Sequence, residues 1–203
     1  MNAVNYQKEL DKILSEIKEA DKLPKLLIHS CCAPCSSYVL EYLNPYFKIT
    51  VLYYNPNISP VEEYEKRKAE QIRLINEGDW KNPIEIMDCD YEGDKYTAAV
   101  KGLENEPEGG ARCRVCFGLR LDEAARLARA NDFDYFVTTL SISPLKNARL
   151  LNEIGNKLGE KYGIKYLPSD FKKREGYKRS IELSRRYNLY RQNFCGCKYS
   201  KSK

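Results

Sequence analysis

The chain has 203 residues, 42% of them hydrophobic, enough for one domain with a real core, so disulfides are not needed to fold it. Eight cysteines is a high count for that length, yet residues 1–20 are polar and charged and no apolar run approaches the length of a membrane span, so neither a secretory leader nor a membrane partner is expected. A cytoplasmic location is the expectation, and in that reducing setting clustered cysteines serve metal or redox chemistry more often than structural crosslinks.

Tyr6, Leu10, Ile13, Leu14 and Ile17 recur at helical spacing and predict an amphipathic helix over 2–21. Residues 1–22 are read as a helical extension of a single domain, 23–170 as its core and 171–203 as a basic C-terminal segment. Leu26-Leu27-Ile28-His29 reads as a buried strand that runs into Ser30-Cys31-Cys32-Ala33-Pro34-Cys35. Pro34 falls in the first turn of the following helix, where its missing N–H costs least. Three thiols therefore lie between the carboxyl end of a strand and a helix N-terminus. That is the usual ligand position in an open α/β sheet, and it stabilises thiolates. Asn44-Pro45 ends this helix, 47–54 forms a second strand, and Asn55-Pro56-Asn57 breaks it. Ser59-Pro60-Val61-Glu62 predicts a capping box with Ser59 as N-cap, opening a helix to about Asn76.

A short strand covers 84–87. Residues 88–112 are loop-rich and acidic, with a short helix expected over 96–102. Gly109-Gly110 permits unusual backbone angles just before Cys113. An amphipathic helix then runs to Ala130, a strand covers 133–140, a loop 141–144, a helix 147–159, a strand 164–167 and a basic helix 175–187. Strands alternating with helices of this length give an α/β fold: a mostly parallel sheet flanked by helices, with right-handed crossovers and a basic helical C-terminal segment.

Cys113-Arg114-Val115-Cys116 is a Cys-x-x-Cys pair that opens a helix, as the Cys31-Cys32 stretch does. If both helices start at one sheet edge, Cys31, Cys32, Cys113 and Cys116 converge, and four thiolates hold either Zn²⁺ or an iron–sulfur cluster. The adjacent pair Cys31-Cys32 departs from both zinc-knuckle and ferredoxin spacing, so the residues leave both open. Cys35, one turn on, completes a second site or serves as a redox thiol, whereas Cys89 reads as a spare cysteine near a strand end. Cys195-Gly196-Cys197 reads as a strained, labile redox pair ahead of a metal-ligand pair, with Gly196 supplying the backbone freedom. His29, the only histidine, sits inside a strand and reads as a satisfied core or edge histidine, which argues against a Ser-His-Asp machine. No Walker A or Gly-x-Gly-x-x-Gly stretch occurs.

Charge is concentrated at the C-terminus. From Phe171 onward 11 Lys and Arg face only Glu175 and Glu182, a local balance of +9 in a chain whose net charge is +5. Aromatics are interleaved with these bases, so the segment points to a polyanion, nucleic acid first. Its ordinary alternative is a solvated helix whose tyrosines pack the tail onto the core.

His29-Ser30-Cys31-Cys32-Ala33-Pro34, Tyr54-Asn55-Pro56-Asn57-Ile58, Cys113-Arg114-Val115-Cys116, Thr138-Thr139-Leu140 with Ser143-Pro144, and Tyr190-Arg191-Gln192-Asn193-Phe194-Cys195-Gly196-Cys197 form an ordered set. Together they resemble epoxyqueuosine reductases of the QueH type, from Lys25 to Ser200. The resemblance implies an adenine-nucleotide α-hydrolase-like (HUP-like) fold. It also implies cobalamin-independent reduction of epoxyqueuosine to queuosine in the tRNA anticodon loop, the last step of queuosine biosynthesis. It further implies a [4Fe–4S] cluster on Cys31, Cys32, Cys113 and Cys116, a redox-active disulfide between Cys195 and Cys197, and a second mononuclear metal ion, iron by preference, with Cys35 among its ligands.

On that reading Lys172, Lys173, Arg174, Lys178, Arg179 and Arg191 hold tRNA phosphates, contacts that position without reading sequence. Epoxide to alkene is a two-electron, two-proton deoxygenation releasing water, so an outside electron donor is a further partner. The proton donor would be a tyrosine, an acid such as Asp170, or water on the metal. Three alternatives stay open on the residues: a zinc-stabilised nucleic-acid-binding protein, an ATP-dependent tRNA-modifying enzyme of the same α/β class, and a thiol oxidoreductase using Cys113 and Cys116. The missing Ser-Gly-Gly-x-Asp-Ser loop argues against the second.

Overall fold

The structure is a computed structural model that describes residues 4–20 and 22–200; the expected helix ends at residues 2–3 and 21, and the basic residues Lys201 and Lys203, lie outside the described residues. Five parallel strands form one sheet in the order β3-β2-β1-β4-β5, with β1 Lys25–His29, β2 Lys48–Leu52, β3 Ile84–Met87, β4 Tyr135–Thr138 and β5 Lys165–Tyr166. Among the described residues seven α-helices connect and cover them: α1 Tyr6–Glu19, α2 Ala33–Leu43, α3 Val61–Glu77, α4 Gly93–Ala99, α5 Ala111–Ala130, α6 Ala148–Tyr162 and α7 Gly176–Arg186. This is the α/β class expected, and the strand order is consistent with an α-hydrolase-like fold.

Alternation along the strands explains the two layers. Leu26 and Ile28 of β1 face one core with Ile49 and Val51 of β2 and Val137 of β4. Leu27, Leu52 and Phe136 face the other. Side chains alternate across a strand, so a sheet buried on both sides reads as the continuous apolar run that Leu26-Leu27-Ile28 shows. Leu10, Leu14 and Ile17 of α1 join the first core with Val39, Leu40 and Leu43 of α2 and Leu74 of α3. Leu121, Ala124, Ala125 and Ala128 of α5 and Leu151 of α6 close the second. The alanine stripe lets α5 approach the sheet closely, which brings the cysteines at its start to the sheet edge.

Strand order reverses direction between β1 and β4, and the crevice outside the carboxyl ends of those strands is where open α/β sheets bind ligands. β1 delivers Cys31 and Cys32 there, and β4 delivers Thr139 through a 3₁₀ turn, Thr139–Ile142, where sequence had continued the strand. Pro34 lies in the first turn of α2 as expected. The capping box at α3 does not form: the Ser59–Pro60 bond is cis, Pro60 is the N-cap, and no side chain caps the helix. α4 begins three residues before the expected start, and α6 runs three residues past Gly159 to a left-handed cap at Gly163, φ 67°.

Two glycines separate packing from propensity. A Cβ on Gly118 of α5 would meet nothing within 4 Å, whereas one on Gly176, where α7 meets α2, would lie 2.0 Å from the Phe171 carbonyl oxygen and 2.4 Å from the Tyr38 ring. Gly118→Ala is expected to stabilise by about 0.5–1 kcal/mol, as alanine for glycine does within a helix. Gly176→Ala is expected to destabilise by about 1–3 kcal/mol through overpacking. Urea denaturation of the two variants checks both signs.

Candidate metal and redox site

The segment after β1 is held from three sides. Asn55 donates to the Ser30 carbonyl at 2.8 Å, and the Ser30 and Ser36 hydroxyls both donate to Gln71 Oε1 at 2.7 Å. The Cys31 N–H donates to Thr139 Oγ1 at 3.3 Å. So fixed, the sulfurs of Cys31, Cys32 and Cys35 lie within 4.8 Å of one another, the metal-ligating group found among the described residues. The Cys32 and Cys35 thiols donate to Cys31 and, with Arg120 and Thr139 against the cost of burial, hold it well below the ordinary thiol range. Cys32 is pushed up to about 12 and Cys35 upward, first by their bonds to Cys31.

α5 supplies the opposing sulfurs. Gly109, at φ +90°, turns its N–H onto Cys113 Sγ at 3.2 Å, so the glycine expected to bend the chain also donates to the thiol. Arg112, 2% exposed, donates to the Glu104 carbonyl at 2.7 Å and to the Glu106 carbonyl, pinning the loop ahead of the helix. Cys31 packs against the cluster that contains Cys113, and Cys116 shares a cluster with Cys197. Burial pushes Cys116 up to about 11, against Arg120. Cys113 and Cys116 thus stand outside the tight group of Cys31, Cys32 and Cys35, so the structure brings together three of the expected thiols and not the expected four.

Arg120 stands between these groups. It is 3% exposed and donates from Nε to His29 Nε2 at 3.3 Å and from Nη2 to Asn55 Oδ1, while Nη1 lies 4.0 Å from Cys116 Sγ. None of these partners is a carboxylate, and the groups near it that raise its pKa are the sulfurs of Cys116, Cys31 and Cys195. A buried charge is tolerated only when paired. His29 does not supply that charge: burial, then Arg120, push its pKa down to about 3, so it is neutral. His29 Nε2 lies 3.3 Å from Arg120 Nε and 3.0 Å from the Tyr54 carbonyl, and Nδ1 lies 2.9 Å from Thr138 Oγ1, so both ring nitrogens are engaged. The only histidine is the satisfied core residue expected. Sequence reading missed Arg120, although it follows Cys116 by four residues and so shares a helix face with it.

The C-terminal tail lies along α3. Arg73 bridges Glu70 and Glu77 and donates to the Tyr187 and Asn188 carbonyls at 3.0 and 3.1 Å. Tyr190 donates its hydroxyl to Glu63, Arg67 Nη1 reaches the Cys195 carbonyl at 3.4 Å, and the Ser59 N–H donates to the Gly196 carbonyl at 2.9 Å. Gly196 takes φ +92°. Cys195 and Cys197 stand as free thiols, and they differ. Cys195 is half-buried with Lys146 Nζ 3.6 Å from its sulfur; Cys197 is 4% exposed and touched by the Tyr96 hydroxyl at 3.0 Å. Burial and this sulfur push Tyr96 upward, so it remains a neutral donor. Burial disfavours the Lys146 charge, but Cys195 and Glu108, 3.1 Å away, outweigh that and keep it protonated.

A cavity of about 580 Å³ opens over this centre, walled by Cys31, Cys32, Cys35 and Cys195 with Arg120 and Lys146. Arg191 also lines it, with Tyr177 and the 76% exposed Leu145 on its wall. The other bases expected on a nucleic-acid face are largely paired: Lys172 with Asp170 at 2.5 Å, Arg174 with Asp11 at 2.6 Å, Lys178 with Glu175 at 3.4 Å, and Arg179 with Glu41 and Glu182 at 2.8 and 3.0 Å. Lys173 is exposed, and Asp170, expected as an acid, is engaged by Lys172. Cys89 donates to the Tyr53 carbonyl, apart from the cavity walls. No helix among the described residues is long and apolar enough to cross a membrane.

Comparison with known proteins places this geometry. The profile of the family described as epoxyqueuosine reductase QueH matches residues 26–203. The chain is 45% identical over 204 residues to the epoxyqueuosine reductase QueH of Staphylococcus epidermidis, covering 98% of this chain and 86% of that protein. It is 44% identical to the QueH of Streptococcus pyogenes, covering 97% and 78%. It is 35% identical to that of Thermotoga maritima, covering 86% and 89%.

The unequal exposure of Cys195 and Cys197 gives a direct test. In reduced, metal-free protein, iodoacetamide is expected to modify Cys195 at least ~10-fold faster than Cys197, since reactivity follows access. Peptide mass spectrometry reads the order, and Cys197 reacting first would contradict the placement of the tail.

Proposed function

The chain belongs to the epoxyqueuosine reductase QueH family, and from that premise we propose how its thiol-lined cavity performs the reduction of epoxyqueuosine to queuosine. It is an oxidoreductase, and the reaction takes up two electrons and two protons and releases water. One observation carries the reading: thiols from three separate segments surround a buried guanidinium that has no carboxylate partner, at the floor of a cavity of nucleobase size.

Cys31, Cys32, Cys113 and Cys116 would hold a [4Fe–4S] cluster, and Cys35 a second metal ion, iron, beside it. The donor set fits: every ligand is a soft sulfur, Cys32, Cys113 and Cys116 are buried, Cys31 and Cys32 stand with Cys35 in one tight group, and a buried arginine lies beside Cys116. When bound, these groups supply single electrons and a Lewis acid for the epoxide oxygen. The chain's own residues do the rest. Leu140, Ile142, Ile58 and Pro144 give the cavity its apolar lining. Lys146 holds a proton at Nζ on the wall, beside Cys195. Closure of a Cys195–Cys197 disulfide releases two electrons and two protons, the count the deoxygenation takes up, and an outside reductant reopens it.

The tRNA reading rests on the basic segment. Lys172, Lys173, Arg174, Lys178, Arg179 and Arg191 would meet phosphates, exchanging exposed ion pairs of small net worth for contacts to the nucleic acid. The modified base would swing out of the anticodon loop into the cavity past Tyr177 and Leu145, at little unstacking cost. Such a substrate agrees with a cytoplasmic enzyme.

The test is anaerobic reconstitution with iron and sulfide, followed by turnover on tRNA carrying epoxyqueuosine. Cys113→Ala is expected to lose both the visible absorption of the cluster and activity. Cys195→Ala is expected to keep the absorption while activity falls to background. The reverse pattern overturns the assigned roles.

A further inference from the structure

The partner list of Arg120 reaches beyond holding the site together. Its guanidinium cannot move: Nε is bound to His29 and Nη2 to Asn55, and Asn55 is itself tied to the Ser30 carbonyl beside Cys31. The remaining nitrogen, Nη1, faces Cys116 Sγ at 4.0 Å. The side chain is 3% exposed, so water screens little of its field. Arginine stays protonated at any working pH. The site therefore contains a permanent positive charge, held by hydrogen bonds, near sulfurs from the β1 edge, from α5 and from the tail.

We propose that Arg120 is a positioning residue that fixes the net charge, and with it the reduction potential, of the group held by Cys31, Cys32, Cys113 and Cys116. Taking up one electron makes that group one unit more negative. A fixed cation favours the reduced form over the oxidised one, so it raises the potential; charge and hydrogen bonding at the sulfurs are established levers on such centres. His29 and Asn55 act through Arg120 by fixing where the charge sits. The inference rests on the reading that these thiolates hold a redox-active iron–sulfur group.

The experiment compares wild type, Arg120→Gln and Arg120→Lys after anaerobic reconstitution, titrating each against a reductant and following visible absorption. Arg120→Gln keeps an amide donor but removes the charge. Its oxidised-to-reduced ratio at a given potential is expected to rise at least ~10-fold, a fall of about 59 mV for a one-electron couple. Arg120→Lys keeps the charge and is expected to stay close to wild type. If Arg120→Gln fails to take up iron and sulfide while Arg120→Lys succeeds, the requirement for charge is met in stronger form. Equal potentials in wild type and Arg120→Gln overturn the proposal, as does Arg120→Lys failing or shifting together with Arg120→Gln, which would assign the residue to packing alone. Failure of the underlying reading is separately visible: wild type itself would take up no iron and sulfide.

Discussion

A buried cation with no carboxylate is the constraint around which this molecule is arranged. Desolvating a guanidinium costs several kcal/mol unless negative charge is brought to it, and Arg120 has only a neutral histidine, an asparagine and cysteine sulfurs in reach. The fold answers by delivering thiols from three places in the chain. β1 ends at the reversal of strand order and releases Cys31 and Cys32; α5 begins at the same edge with Cys113 and Cys116; the tail returns to bring Cys195. A buried cation among sulfurs suits metal–thiolate chemistry.

The tail is a structural element and not a loose basic arm. Glu63, Arg67, Glu70 and Arg73 line α3 at intervals of three and four residues and bind successive points from Tyr187 to Cys195. That seam sets how far Cys195 reaches over the cavity. Lys146 and Glu108 meet it from the opposite side, while Cys197 is withdrawn under Tyr96. The two thiols of one Cys-Gly-Cys turn are thereby made unequal, one toward the cavity and one toward the interior.

Sequence made the architecture and the cysteines legible because both are local signals. Leu26-Leu27-Ile28 announced a strand buried on both faces, Pro34 marked the start of α2, and the two cysteine pairs marked helix starts that the parallel sheet brings to one edge. What stayed hidden depends on partners distant in the chain. Arg120 meets His29 across 91 residues, Arg179 meets Glu41 across 138 and Arg174 meets Asp11 across 163, so neither the counter-charge nor the pairing of the basic segment could be read from spacing. Ser59 looked like a helix cap by composition, but Pro60 takes the N-cap position and the Ser59 N–H meets the Gly196 carbonyl. Local pattern yielded there to a long-range contact.

The account turns on what the thiols hold, and metal and sulfide analysis of anaerobically purified protein measures that most directly. The account predicts acid-labile sulfide with iron in excess of it, the excess being the second ion, and the broad visible absorption of an iron–sulfur group. A colourless protein containing zinc and no sulfide would contradict it.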